Sequence, residues 1–478
     1  MALNSISSEQ WVDGIGQIWE RSITINDDEV RVCVFHVPKT LSTMKPEAYV
    51  PQHIGLGPAH HFQPKLYAME GYKLAKVKTF LEPYKVFQLQ KFIDELLKTN
   101  FVLTIRACYH NHLPFSDNTL ACVMAIDGLF LLDFCATYNK IDFSVDFAGR
   151  KLTKEAYILR DIMMLENQLP MILLQEIWRI LQIFSSSDHQ VDAVRDFGPP
   201  LFYKKISPLK FIVPSLFIPT DKPAVNLLDL MYQMILNYRG EGSTAGSVSK
   251  DRSSANVFPN PIIQNLCRGN FFDLLWFRNV NKKAGEVEIK LLDEDHEVAE
   301  DSDFGLNTIS EDNKVDINKE DSKTTSTTAE EIKIPSVSQL INNAGLKFSC
   351  LKDKGGIRDI KFDEKEVTLY LPLITLDVNS EVILRNLVAY EASSSMSGIT
   401  LELAQYVDLM CGIIDTAEDA RLLREKKIIK GHLRDAEVAD IFNGIPKSMG
   451  KPDEKSNHIE DRRESEQLLQ QYMEGQAF

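Results

Sequence analysis

Apolar residues recur at three- and four-residue intervals through most of this chain, and that period predicts a mainly helical protein. Trp11, Ile15, Ile18 and Trp19 place an amphipathic helix in residues 9–20. Helical patterning then dominates from Lys65 to Phe184, with Gly71, Pro83 and Gly149 as punctuation. Within it, Leu120 to Ala136 is nearly continuous in apolar residues but carries Asp127 and Asp133. A membrane span needs about 20 largely uncharged residues, so this run reads as a buried helix. Further helices are predicted at 225–238, 380–392, 399–426 and 435–443.

Period-two alternation is confined to short runs. Residues 31–37 read as a strand ended by Pro38. Residues 346–350, 360–362 and 367–371, with Gly355-Gly356 as a turn and Pro372 as a stop, read as a small antiparallel β-meander. The organisation predicted is one large helical domain. Its parts are an N-terminal helix in 1–30, a helical part at 31–239, a Gly/Ser-rich loop at 240–258 and a short apolar segment at 259–285. A long insertion at 286–334, a second part of the domain at 335–445 and a polar tail at 446–478 complete it.

The densest group of polar residues in an apolar setting is Arg160-Asp161 followed by Glu166-Asn167-Gln168-Leu169-Pro170. Read as one helix capped by Thr153 and stopped by Pro170, its stripe is Ile158, Ile162, Leu165, Leu169, Ile172 and Leu173. At 100° per residue, Glu166 falls at the margin of that stripe and Asn167 on the opposite, outward face. A carboxylate at a core margin needs a partner. Glu166 is therefore either half of a binding or catalytic site or half of a packing ion pair, and the second reading is the more economical.

A loop from Tyr49 to His61 carries Gly55-x-Gly57-Pro58 and three histidines, His53, His60 and His61. It lacks the third glycine of a nucleotide loop, and Pro58 removes an amide donor. Adjacent histidines rarely share one ion, so neither cofactor nor metal is expected there. Asp408, Asp415 and Asp419 share one face of the predicted 399–426 helix, as the solvated side of an amphipathic helix would place them. The seven cysteines are scattered with no CxxC spacing, as reduced core thiols are. No GxSxG, HExxH or P-loop is present.

The formal charge of −15 argues against a general nucleic-acid binder. Most of it is local: residues 286–331 hold sixteen Asp/Glu against four Lys, a net of −12. That run is too polar to offset its ordering entropy and is expected to be disordered. The first ten residues lack a basic start and apolar core, so no secretory signal is expected, and Ala2 excludes myristoylation of an N-terminal glycine.

Seven blocks carry a resemblance. They begin with Val37-Pro38, Tyr49-Val50-Pro51-Gln52 running into Ile54-Gly55-x-Gly57-Pro58-x-His60-His61, and Asp127-Gly128-Leu129-Phe130. Then come the Arg160 to Pro170 block, Ala344-Gly345-Leu346-Lys347-Phe348, Arg385-Asn386-Leu387 through Glu391, and Glu437 through Asn443. In this order they resemble the plant domain-of-unknown-function family 247 (uncharacterised protein family UPF 0481). The resemblance implies a plant-specific, largely helical protein with no established catalytic residues, and an interaction role like that of members associated with pollen–stigma recognition. It also implies plasma-membrane association through a C-terminal apolar segment, whereas this sequence ends in Glu-Asp-Arg-Arg-Glu-rich polar residues. The expectation is a non-enzymatic scaffold, cytoplasmic or peripheral to a membrane, that binds other proteins. The alternatives are a hydrolase or transferase using Glu166 with His60 or His61, and a peripheral membrane protein recruited by a partner.

Overall fold

A computed structural model describes residues 32–84, 89–98, 101–140, 154–184, 206–209, 223–237, 334–351, 355–394 and 401–445. The predicted helix at 9–20, the Thr153 cap, the insertion up to residue 333 and the tail from 446 lie outside them.

The first half is helical. Its elements are α1 (Lys39–Met44), α2 (Glu70–Leu81), α3 (Leu89–Lys98), α4 (Phe101–Ala107), α5 (Asp117–Lys140), α6 (Lys154–Ile162), α7 (Met171–Phe184) and α8 (Leu227–Asn237). The second half runs α9 (Val337–Ala344), β1 (Lys347–Cys350), β2 (Lys361–Asp363), β3 (Thr368–Leu371) and β4 (Ile374–Leu376). It continues with α10 (Ser380–Ser394), α11 (Glu402–Ile413), α12 (Ala417–Glu425), β5 (Ile429–Gly431) and α13 (Asp435–Gly444).

Helix α5 forms the centre of the first half and packs against α2, α3 and α7. It is apolar on nearly every side because neighbours surround it. By length and composition Asp117–Thr137 could cross a membrane, yet 72% of its most apolar stretch is buried inside the protein. Helix α10 centres the second half; it packs on α8 and α11 and touches the short 3-10 turns Pro46–Ala48 and Leu165–Asn167. A single hydrophobic cluster runs from Cys33 to Ile445 through both halves.

Three expectations need correction. The strand at 31–37 reduces to one parallel bridge between Val34 and Tyr109. The predicted meander strands exist, but their pairing differs: β3 is central, parallel to β1 and antiparallel to β2. Alternation reports which residues face the core, not which strand lies alongside. A second, two-stranded sheet pairs β4 with β5, and strands of three residues are too short for alternation to reveal.

The helix predicted at 399–426 is two helices. It breaks at Ile414-Asp415-Thr416, where Thr416 caps α12 and Asp419 completes the box. Asp419 is fully buried. One of its oxygens accepts the Ser338 amide of α9 at 2.8 Å and the other the Thr416 amide at 2.9 Å. Burial alone would push the Asp419 carboxyl up; the Ser338 amide and the Thr416 hydroxyl outweigh it and hold it below its ordinary value. Asp419→Ala is expected to cost about 2 kcal/mol, a lost cap plus an orphaned amide, read as a lower urea midpoint.

Candidate functional site

The segment from Tyr49 to Pro58 enters the protein without regular secondary structure, and Tyr49, Ile54 and Leu56 are buried. Its amides therefore need acceptors. Side chains from three other segments supply them. Asp161, fully buried near the end of α6, takes three consecutive amides on one oxygen: Gln52 at 2.9 Å, His53 at 2.5 Å and Ile54 at 3.0 Å. Three amides converging on one oxygen make an anion-binding nest for the carboxylate. The other oxygen receives Arg160 Nε and Nη2 at 3.3 and 3.2 Å. Arg160 is in turn 3.5 Å from His53 Nδ1, and the His53 ring stacks on Tyr157 at 4.6 Å.

Asn167 continues the clamp. Its Oδ1 accepts the Leu56 amide at 2.6 Å, and its Nδ2 donates to the carbonyls of Ile54 and Asp161. Gln168 Nε2 donates to the carbonyls of Ile162 and Met164, while its Oε1 accepts the Leu228 amide at the start of α8. Asn386 on α10 mirrors this from the other half, accepting the Leu165 amide and donating to the Ala48 carbonyl.

These bonds correct the single-helix reading of the motif. Helix α6 stops at Ile162, Leu165–Asn167 form a 3-10 turn, Gln168 is extended, and Pro170 precedes α7 instead of ending a helix. Asn167 is fully buried, not outward. Carboxamides that bond nearby carbonyls offer the backbone an alternative to the helical ladder. Buried, they outcompete it.

The loop's next residues are held from α5 and α2. Asp127 Oδ2 accepts the Gly57 amide at 2.9 Å, and Asp127 Oδ1 lies 2.5 Å from Lys73 Nζ. Both side chains have no exposed surface. Lys73 also donates to the Gly55 carbonyl at 2.9 Å and lies 2.7 Å from Glu70. Gly57 sits at φ +67°, and a Cβ there would come within 2.8 Å of the Tyr109 hydroxyl, so only glycine fits the turn.

Glu166 faces a different set. Its Oε1 accepts the Val37 amide at 2.8 Å and lies 2.5 Å from His36 Nδ1; its Oε2 lies 3.5 Å from His60 Nε2. His60 Nδ1 is taken by Gln63 Nε2 at 2.7 Å, which leaves the proton of a neutral ring on Nε2, facing Glu166. At 3.5 Å that contact is long, and His60 Nε2 makes no proper hydrogen bond. Burial alone would raise the Glu166 carboxyl. The pull of the His60 ring, the Val37 amide and the charge of His36 outweigh it and hold the group below its ordinary value.

A group lowered in the folded state contributes stability above its unfolded pKa and loses it as pH falls through the folded one. Glu166→Gln is thus expected to cost about 1 kcal/mol at pH 7. The difference from the unsubstituted chain should close below about pH 4, in thermal melts across pH.

Of the sequence candidates, the structure brings His60 to Glu166. His61 turns instead toward Asp127, with 3.8 Å between Nδ1 and Oδ2. Among the described residues no group of three His, Cys, Asp or Glu is placed to hold a metal ion. A small apolar cavity in the first-half core is lined by Leu96, Ile105, Met124 and Leu173 and by none of these polar side chains. None of the described cysteines is in a disulfide, and burial pushes Cys135 up to about 12, a thiol with little nucleophilic form. Sequence reasoning missed His36, Lys73, Asp127 and Asn386 as members of this network. Asp127 carried a signal as a charge inside an otherwise apolar helix, and Asn386 stood within a family block; His36 and Lys73 carried none.

Residues 34–474 match the family described as DUF247, plant protein of unknown function. The putative UPF0481 protein At3g02645 of Arabidopsis thaliana is 32% identical over 459 residues, covering 92% of this chain and 83% of its own length. UPF0481 protein At3g47200 of the same plant is 27% identical over 170 residues, 35% of this chain and 36% of its own. No solved structure matches.

Proposed function

The chain belongs to the plant DUF247 family, and on that premise we propose that it is a non-enzymatic scaffold that binds other proteins in recognition or signalling. One observation carries this reading: the motif's polar groups are turned inward onto backbone. Asp161 holds three amides of the Tyr49–Pro58 segment, and Asn167 and Gln168 hold further backbone groups of this loop, the 161–164 backbone and α8. Groups so engaged are poor acids, bases or nucleophiles and good fasteners. They rigidify a surface.

A hydrolase or transferase using Glu166 draws on the 3.5 Å approach of His60. Against it, the same carboxylate is already engaged by the Val37 amide and His36. Recruitment to a membrane by a partner is compatible with the scaffold reading and adds no chemistry to it.

Proximity labelling in plant tissue with the full-length chain tests the proposal. A reproducible set of receptors or kinases is expected. Recovery of nothing above background, together with a thermal shift on adding a small metabolite, would overturn it.

A further inference from the structure

Apart from one bridge, residues 32–38 have no regular secondary structure. The bridge is parallel and pairs Val34 with Tyr109. In it the Val34 amide donates to the Cys108 carbonyl at 3.0 Å, and the His110 amide to the Val34 carbonyl at 3.0 Å. The Cys33 amide shares the Cys108 carbonyl at 2.8 Å. One position back in this register stand Cys33 and Cys108 themselves. Residues in register across a parallel pair face the same side, and neighbouring strands lie about 4.8 Å apart. Disulfides join Cα atoms about 4.4–6.8 Å apart, so this backbone spacing suits one.

The side chains agree with the backbone. Both cysteines are buried, each 2% exposed. The Cys33 thiol is pushed far above its ordinary value, first by its hydrogen bond with the Cys108 thiol and then by burial. Cys122, Cys135 and Cys350 are raised first by burial. Among these four thiols, Cys33 is the one governed chiefly by a second sulfur. The pair also lies close to solvent, because Val32 and His110, within two residues of it, are exposed.

We propose that Cys33 and Cys108 are a modification site, oxidised to an intramolecular disulfide that fastens the 32–38 segment to the turn between α4 and α5. The oxidant is a disulfide donor, such as oxidised glutathione. One cysteine thiolate attacks a donor sulfur and releases the first donor thiol. The second thiolate attacks the mixed disulfide at the first cysteine's sulfur and releases the other donor thiol. The two thiol protons pass to the two released thiols, and the two electrons lost by the pair reduce the donor bond. A raised thiol holds little thiolate in the closed protein, so exchange begins when the single bridge opens locally.

The bond closes a loop of roughly 75 residues, and cross-linking a long loop restricts the unfolded chain most. It also adds a covalent tie to a segment already held at two points. Glu166 accepts the Val37 amide at 2.8 Å, and Asn226 donates to the Cys33 carbonyl at 2.6 Å. His36, 2.5 Å from Glu166, lies between those points. Oxidation thus stiffens the backbone that carries His36 to Glu166.

Equilibrating the full-length chain with oxidised glutathione, capping the remaining thiols and mapping unreduced peptides by mass tests the proposal. A cross-linked peptide joining Cys33 to Cys108 is expected, lost on adding dithiothreitol. The oxidised chain should melt about 4 °C or more above the reduced one. The Cys33, Val34 and His110 amides should exchange more slowly in it. Cys108→Ala should abolish the shift and Cys122→Ala should leave it. If Cys108→Ala does not fold, the peptide map of the unsubstituted chain still decides. Separate capping or glutathione addition at the two cysteines would overturn the pair, as would linkage of either to another cysteine. Pairing only in denaturing urea would do the same, and an unchanged or lower melting temperature would overturn the fastening. None of these results bears on the scaffold reading, which the proximity labelling tests.

Discussion

Asp161→Ala is expected to destabilise the protein by about 3–5 kcal/mol, a large effect for a single substitution. Four donors converge on this carboxylate: the amides of Gln52, His53 and Ile54 and the guanidinium of Arg160. Alanine leaves the three buried-loop amides without their acceptor and Arg160 without its carboxylate. An orphaned buried donor costs about 1–3 kcal/mol, and partial entry of water keeps the sum below the simple total. Asp161→Asn should cost less, because one oxygen can still accept amides while its NH2 confronts Arg160. The measurement is urea denaturation paired with hydrogen exchange. The loop amides of 52–54 should lose protection in Asp161→Ala before α5 does. Uniform loss across the molecule would mean that the loop has no independent dependence on Asp161.

The same physics decides how much of this protein was legible in its sequence. Helices α5, α8, α10 and α13 stand close to where apolar period placed them, because their faces meet a core and period is the record of that meeting. The break between α6 and α7 was illegible. Asn167 and Gln168 have ordinary places on a helical wheel, and only the loop lying against them turns their carboxamides into competitors of the helix. Asp419 failed for a related reason. Its period put it beside Asp408 and Asp415, but Thr416-x-x-Asp419 is a capping box, and the box won.

The candidate site was legible as a list of residues and not as a geometry. Glu166 and His60 were named and do meet, whereas His36 gave no sign of being Glu166's nearest ring. Lys73 sits among Lys76 and Lys78 in a run that reads as a solvated face. Nothing local distinguishes the one lysine that turns inward. A recurring device explains these failures: carboxylates of distant segments accept backbone amides. Glu391 does for Leu403 and Ala404 at the start of α11 what Asp161 does for the loop. Such pairings cross from one element to another, over a dozen residues for Glu391 and about a hundred for Asp161, and no short-range pattern encodes them.

Lys73→Met is the second large effect, again about 3–5 kcal/mol, because it leaves the Asp127 carboxylate in the core with one amide from Gly57 and no cation within 3 Å. Asp127→Leu alone should cost a similar amount, since it strands Lys73 with Glu70 and the Gly55 carbonyl. The double substitution distinguishes a fastener from a site under other demands. Two apolar side chains of similar volume can replace a buried pair at little cost, so Lys73→Met/Asp127→Leu should be more stable than either single variant. Full recovery is not expected, because the Gly57 amide loses its acceptor in both Asp127 variants. A coupling of about 2 kcal/mol or more in the cycle is the expected result, read from calorimetric or urea unfolding at pH 7. Additive losses would mean that Lys73 and Asp127 stabilise the protein through separate partners, Glu70 for one and the loop amide for the other, and that their 2.5 Å contact contributes nothing of its own.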